Sequence, residues 1–214
     1  CMDTIKSKYH ETLAATVIKN LEKRQMEGYY CPTVEDAEKL AFSFLKDGQT
    51  VSFGGSMTLE ETGMLTALRH DPSIHLIDRS TAKTPDETKK MYHDALSSDV
   101  YFMSTNAITT GGELVNIDGT GNRVAALIYG PETVVILAGM NKIAANVDEA
   151  LSRVHNVATA QNCIRLDKKT PCAITGACAD CLSPDCICNQ VVITRRSGIK
   201  GRIKVLLIGE SFGY

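Results

Sequence analysis

An α/β fold with a mainly parallel sheet flanked by helices is predicted by two patterns in this chain. Short apolar runs rich in β-branched residues alternate with longer amphipathic segments, and Gly, Pro, Ser or Asp punctuates the junctions. The length agrees: 214 residues suffice for one three-layer core, and a second independent core would be cramped. One domain over residues 1–214 is therefore expected.

The elements follow in order. Residues 4–26 carry Ile5, Tyr9, Leu13, Val17, Ile18 and Leu21 at helical spacing with charges between them, a long amphipathic helix within an N-terminal segment, 1–28, that stops at Gly28. After Pro32, Thr33 followed by Glu35 and Asp36 reads as an N-cap with an acidic first turn, opening a helix that runs to Leu45. Strands at 50–53, 74–77 and 100–104 then alternate with helices at 58–68 and 85–96. The second half is richer in strand, at 113–117, 133–138, 190–194 and 203–208, with a helix at 147–166. Gly111 and Gly112 make the simplest hairpin turn between Ile108 and Leu114. The cysteine-rich loop, 170–189, reads as an insertion before the last two strands.

Composition excludes some functions. With 43% hydrophobic and 22% charged residues the chain is of the ordinary globular kind. A net charge of -2 and the absence of Trp leave neither the basic face nor the stacking platform that nucleic-acid binding uses. The charged N-terminus and the lack of any apolar run near the ~20 residues of a membrane span predict a cytoplasmic protein without a membrane partner. Cys1 ahead of Met2 reads as an added residue rather than as the first residue of a lipoprotein.

Three polar turns are candidates for ligand chemistry. Gly54 and Gly55 would let backbone approach an anion at the start of a helix, with Ser56 and Thr58 hydroxyls beside it and Glu60 nearby; a plain glycine turn with an N-cap would look the same. Residues 104–123 gather Asn106, Asn116, Asp118, Thr120, Asn122 and Arg123 at or near strand ends, where open α/β sheets build clefts. Asp118 there could simply cap the segment after Asn122, whereas Arg123, beside Gly119 and Gly121, can present paired donors to a carboxylate or phosphate. Asn141 and Lys142 follow directly on the strand at 133–138, where Lys142 could hold an anion or, if desolvated, act as a base or Schiff-base amine; an exposed lysine is the plain alternative. The histidines form no spaced ligand pair.

The most concentrated chemistry is in the cysteines. Five of the eight, Cys172, Cys178, Cys181, Cys186 and Cys188, fall in one Pro- and Gly-bent loop. In a reducing compartment they are sorted as metal-binding or catalytic before they are sorted as disulfides. Four thiolates could hold zinc in a closed tetrahedron or an iron–sulfur cluster that carries an electron.

FGGSMTLEETG, STNAITTGGELVNIDGTGNRVAALIYGPETVVILAGMNKI, TPCAITGACADCLSPDCICN and the closing VLLIGESFGY together resemble the LUD-domain family, which includes lactate utilization protein C and was long catalogued as DUF162. The resemblance runs over nearly the whole chain. It implies an α/β fold similar to the ribose-phosphate isomerase and CoA-transferase superfamily. In the cysteine loop it implies Cys172, Cys178, Cys181 and Cys188 as metal or cluster ligands, with Cys186 extra. It also implies a redox enzyme or accessory subunit in the oxidation of L-lactate or a similar 2-hydroxy acid, with Arg123 on the carboxylate and iron–sulfur proteins as redox partners. An isomerase- or transferase-like enzyme for a phosphorylated or CoA-linked metabolite is the alternative, with Asp118, Glu60 or Lys142 doing proton or acyl chemistry and the metal only bracing the loop. A non-catalytic ligand-sensing subunit is the third. The ligand in each case is a small anionic metabolite, and the long first helix is compatible with a homo-oligomer.

Overall fold

The N-terminal helix, α1 (Thr4–Lys23), turns His10, Ala14, Val17 and Leu21 inward at helical spacing, while Tyr9 stays exposed. The computed structural model describes residues 4–214, and Cys1 lies outside them. Directly after the helix the chain enters a strand the sequence reading missed, β1 (Glu27–Cys31). Gly28, read there as a stop, sits inside that strand: a Cβ at this position would lie 2.9 Å from Ile18 Cγ1 and 3.0 Å from Leu21 Cδ1. Its lack of a side chain lets the strand pass close beneath α1.

Next come α2 (Val34–Phe42), β2 (Thr50–Phe53), α3 (Met57–Glu61), α4 (Met64–His70), β3 (His75–Ile77) and α5 (Pro85–Ala95). Thr33 caps α2 as predicted, its hydroxyl accepting from Asp36 N. The helix expected at 58–68 is two helices, because Gly63 takes φ +74° between them. The chain continues through β4 (Val100–Met103), β5 (Ala107–Thr109), β6 (Leu114–Asp118), α6 (Asn122–Ile128), β7 (Thr133–Gly139) and β8 (Ile143–Ala144). The helix predicted at 147–166 is α7 (Val147–Arg153), a π-helical stretch Val154–Thr159, and α8 (Ala160–Arg165). Within the cysteine-rich loop lies one short helix, α9 (Pro171–Thr175), before β9 (Gln190–Thr194) and β10 (Ile203–Ile208).

Six strands form one parallel sheet in the order β1-β10-β7-β4-β2-β3. Both faces are covered, and the period of two along β7 shows how. Val134, Ile136 and Ala138 join the core under α1 and α6, while Val135 and Leu137 join the core under α2, α3 and α4. All five are fully buried, and at about 1.5–3 kcal/mol for each large aliphatic side chain their burial anchors this central strand firmly. The last carbonyls of α6 are closed from a distance: Arg202, just ahead of β10, donates to Ala126 O, Leu127 O and Pro131 O at 2.7–2.8 Å.

A second, four-stranded sheet, β8-β5-β6-β9, was not foreseen. Its strands were predicted at 113–117 and 190–194, but alternation says nothing about which sheet a strand joins. The β5–β6 pair is the hairpin expected around Gly111 and Gly112. Its tip sits on α1, where Asn20 Nδ2 donates to Thr110 O and Arg24 pairs with Glu113. The inner face of the second sheet packs Ala107, Val115 and Ile117 against Ala150, Val154 and Ala158. Parallel pairing puts the C-terminal ends of β2, β3, β4, β7 and β10 along one edge of the main sheet, and β6 delivers Asp118 to the same region.

Candidate functional site: a polar cleft beside a cysteine-lined cavity

At that edge lies a cleft of about 570 Å³. Gly55, Ser56, Thr58, Asn106, Asp118, Thr120, Asn122, Arg123 and Lys142, expected from the sequence, all line it. Arg79, Tyr92, Asn162 and Arg165, which sequence reasoning missed, line it as well. Arg79 lies two residues past the end of β3, after Asp78, and that position just beyond a predicted strand was the available signal. Its guanidinium donates to Tyr92 OH at 3.0 Å and lies over the Tyr92 ring, 5.6 Å from the centroid. Gly55 makes room for it, since a Cβ there would overlap Arg79 Nη2.

Lys142 stands in the cleft wall on the single turn that follows the central strand β7. It is 4% exposed. Its Nζ donates to Ser104 Oγ at 3.1 Å, and the Ser104 hydroxyl donates onward to Thr105 O at 3.3 Å. Among the described residues no carboxylate forms an ion pair with it. Burial, then the nearby Arg153 and Arg123 guanidinium groups, push its pKa down to about 7, against a weaker opposing pull from Glu61.

Arg123 is the opposite kind of buried cation. Nε donates to Asp118 Oδ1 at 3.0 Å, Nη1 to Ser104 O and Asn116 Oδ1, and Nη2 to Asn106 Oδ1 and Ile117 O. A guanidinium has five N–H groups, so the protein itself engages the whole set. The expectation that Arg123 would offer paired donors to a substrate meets this geometry: the residue borders the cleft but ties its walls together. Asp118 does cap α6, as one reading of the sequence had it, with Oδ2 accepting from Val124 N at 3.0 Å. It does so while paired to Arg123.

Four expected residues are placed elsewhere. Gly54 lies beneath the cleft, where a Cβ would stand 3.1 Å from Arg123 Cγ and 3.0 Å from Tyr101 OH. Asn116 is fully buried: its Oδ1 accepts from Asn106 N and Arg123, and its Nδ2 has no partner among the described residues. Asn141 clamps the chain after β10, accepting from Phe212 N at 3.1 Å and donating to Gly213 O at 3.3 Å. Glu60 is exposed and outside the cleft lining; its neighbour Glu61 instead accepts from Gly213 N at 2.6 Å.

The cysteine loop folds over a second cavity of about 440 Å³. Cys172, Cys178, Cys181 and Cys188 all line it, with Cys186, His155 and an unpredicted sixth thiol, Cys163 of α8. Cys163 escaped notice because it lies outside the loop in a helix. Cys163 neighbours Cys172, and Cys188 neighbours Cys186. Burial, with Cys186 and Cys163 beside it, pushes the Cys188 thiol up to about 11, partly offset by its bond to Thr159. Cys178 Sγ lies 3.7 Å from His155 Nδ1. In donor chemistry and number these thiols suit a soft ion or an iron–sulfur cluster. They stand in separate small groups, and among the described residues no three His, Cys, Asp or Glu side chains are arranged to hold one ion. Thr159, Cys186, Ile187 and Asn189 line both cavities, so the two share a wall.

Fold and site together define an α/β protein whose parallel sheet opens, at its C-terminal edge, on a cation-rich polar cleft. The family follows from the sequence comparison: the LUD domain matches residues 14–208, and the chain belongs to the LUD-domain family. Among solved structures, a DUF162 family protein from Deinococcus radiodurans is similar at a TM-score of 0.52 and 10% identity, over 93% of this chain and 98% of that one. The eIF2B delta subunit from Chaetomium thermophilum is similar over 52% of this chain and 48% of its own, at 20% identity and a TM-score of 0.34. No curated protein matches the sequence significantly. No helix among the described residues is long and apolar enough to cross a membrane.

Proposed function

We propose that the protein is a metabolic enzyme whose cleft binds a small anionic metabolite of the 2-hydroxy acid or 2-oxo acid class, lactate and pyruvate being the type compounds, and that Lys142 moves a proton there. The observation that carries this reading is Lys142 itself, a buried amine facing a cleft with a hydroxyl as partner and, among the described residues, no carboxylate in an ion pair with it. A lysine left so is costly to the fold and is the kind of group that function retains. An anion entering the cleft would find Lys142 and Arg79 on its walls, with Thr58 and Ser56 hydroxyls beside them. Membership in the LUD-domain family supports the choice of metabolite class.

The two cavities share a wall, so a centre held by the cysteine loop would lie beside the cleft, where it could either relay electrons or brace the wall. Cys172, Cys178, Cys181 and Cys188 are the residues that would hold a metal centre, once the loop draws their separate groups together; a cluster would supply one-electron transfer to an iron–sulfur partner, and zinc would supply only rigidity. Elemental analysis and a visible spectrum of protein purified without air distinguish them: iron with thiolate-to-iron absorption is expected, and a colourless zinc protein removes the redox reading.

Thermal-shift and equilibrium binding measurements with L-lactate, pyruvate, sugar phosphates and CoA esters test the substrate class. Stabilisation by lactate or pyruvate, lost in Lys142→Met, is expected. Stabilisation only by sugar phosphates or CoA esters replaces this reading with the isomerase- or transferase-like one.

A further inference from the structure

We propose that Lys142 is a covalent nucleophile, whose amine condenses with the carbonyl carbon of a small anionic aldehyde or ketone in the cleft to form an imine. The inference rests on the reading that the cleft takes an anionic metabolite, and it adds a bond to it. Three features of the site carry it. Lys142 is an amine at a cleft wall whose hydrogen-bond partner, Ser104 Oγ, takes only one of its N–H groups. Desolvation and then the Arg153 and Arg123 guanidinium groups disfavour a third cation here, against a weaker pull from Glu61, so the lone pair is available near neutral pH. Those two arginines are themselves fixed by protein acceptors, Arg153 on Asn141 O and Asn106 O and Arg123 on its five, so neither can turn away.

The step balances without an oxidant. The nitrogen lone pair forms the C–N bond as the carbonyl π pair moves to oxygen. The proton released by nitrogen reaches that oxygen through the Ser104 hydroxyl, which lies 3.1 Å from Nζ. The carbinolamine hydroxyl then takes up one proton from solvent and leaves as water, breaking the C–O bond, while the nitrogen lone pair forms C=N and keeps its N–H, so the imine is formed protonated. The protonated imine draws electrons from the adjacent carbon, which suits substrates with a carbonyl next to an acidic C–H or a carboxylate. A 2-oxo acid and a phosphorylated ketose share this chemistry, and Arg79 is placed to meet the anion of either.

The test is reductive trapping of the whole protein with sodium cyanoborohydride and either pyruvate or dihydroxyacetone phosphate, with adducts mapped by peptide mass spectrometry. Binding of each compound is measured in parallel without reductant. A reduced adduct on Lys142, formed on the order of ten-fold or more faster than on exposed lysines such as Lys8 and Lys90, is expected from the desolvated amine. The arm that labels identifies the substrate class. Lys142→Arg keeps a cation in place and should bind without labelling. Binding by the wild-type protein with adducts only at exposed lysines overturns the imine and leaves the cleft reading standing. Neither binding nor adduct overturns both.

Discussion

Arg123 and Lys142 are both buried cations within the same cleft wall, and the protein treats them in opposite ways. Arg123 has all five donors engaged, so lysine at that position, with one compact ammonium, would strand Asp118 and several carbonyl or amide oxygens. Arg123→Lys should therefore cost about 3 kcal/mol, the lower end for breaking a buried charge pair, read as a lower midpoint in urea unfolding. Lys142 has one hydroxyl partner, and its folded pKa lies near 7 against an ordinary 10.5. The unfolded chain therefore binds more protons between those values, and stability must rise with pH across that window. Lys142→Met should stabilise the protein most below pH 7, by more than about 1.4 kcal/mol, the worth of one pKa unit, and lose that advantage as pH climbs toward 10.5. Urea unfolding of both proteins across this range checks it; a pH-independent difference would show that Lys142 is not desolvated. The sequence made the residues legible here but not their division of labour. Residues 104–123 announced a polar site, yet Arg123 became structural only because Ser104, Asn106 and Asn116 were brought to it by the β4–β5 connection and β6.

Element boundaries in the parallel sheet were readable where a strand is a short apolar run with both faces covered; β2 and β10 fall at their predicted residues. β1 was not readable, since Glu27, Gly28, Tyr29 and Tyr30 carry neither an apolar run nor alternation, and the strand exists through pairing with β10. Gly28 marks the contact that fixes it. Gly28→Ala would press a methyl group into Ile18 and Leu21 and should cost about 1–3 kcal/mol as overpacking, read as a lower midpoint in urea unfolding; an unchanged midpoint would show that α1 can shift away from β1. At the next element the logic is purely local. Thr33→Ala removes the acceptor for Asp36 N and should lower stability by about 1 kcal/mol, with Thr33→Ser restoring it. Failure of serine to restore stability would mean that the cap matters through packing of the threonine methyl.

At the scale of the molecule, the cysteine loop and the polar cleft share a wall, and this was the least legible feature of all. The loop's spacing pointed to its own chemistry, while its position depends on α8 and β9, which carry it against the edge of the main sheet. Cys186, set aside by the family pattern, is the thiol that touches both cavities. A ligand filling the cleft should therefore shield Cys186 from alkylation while leaving Cys178 and Cys181, which line only the second cavity, unchanged. Cys31 supplies the internal reference: it is 2% exposed, and burial pushes its thiol up to about 11, so little thiolate forms and it should stay unlabelled throughout. Peptide mass spectrometry after timed iodoacetamide treatment, with and without pyruvate, measures each site separately. Selective protection of Cys186, on the order of several-fold as expected when a ligand covers a reactive thiol, ties the two cavities together. Equal protection of Cys178 and Cys181 would instead mean that the whole loop closes, and protection of none would place the ligand away from the shared wall.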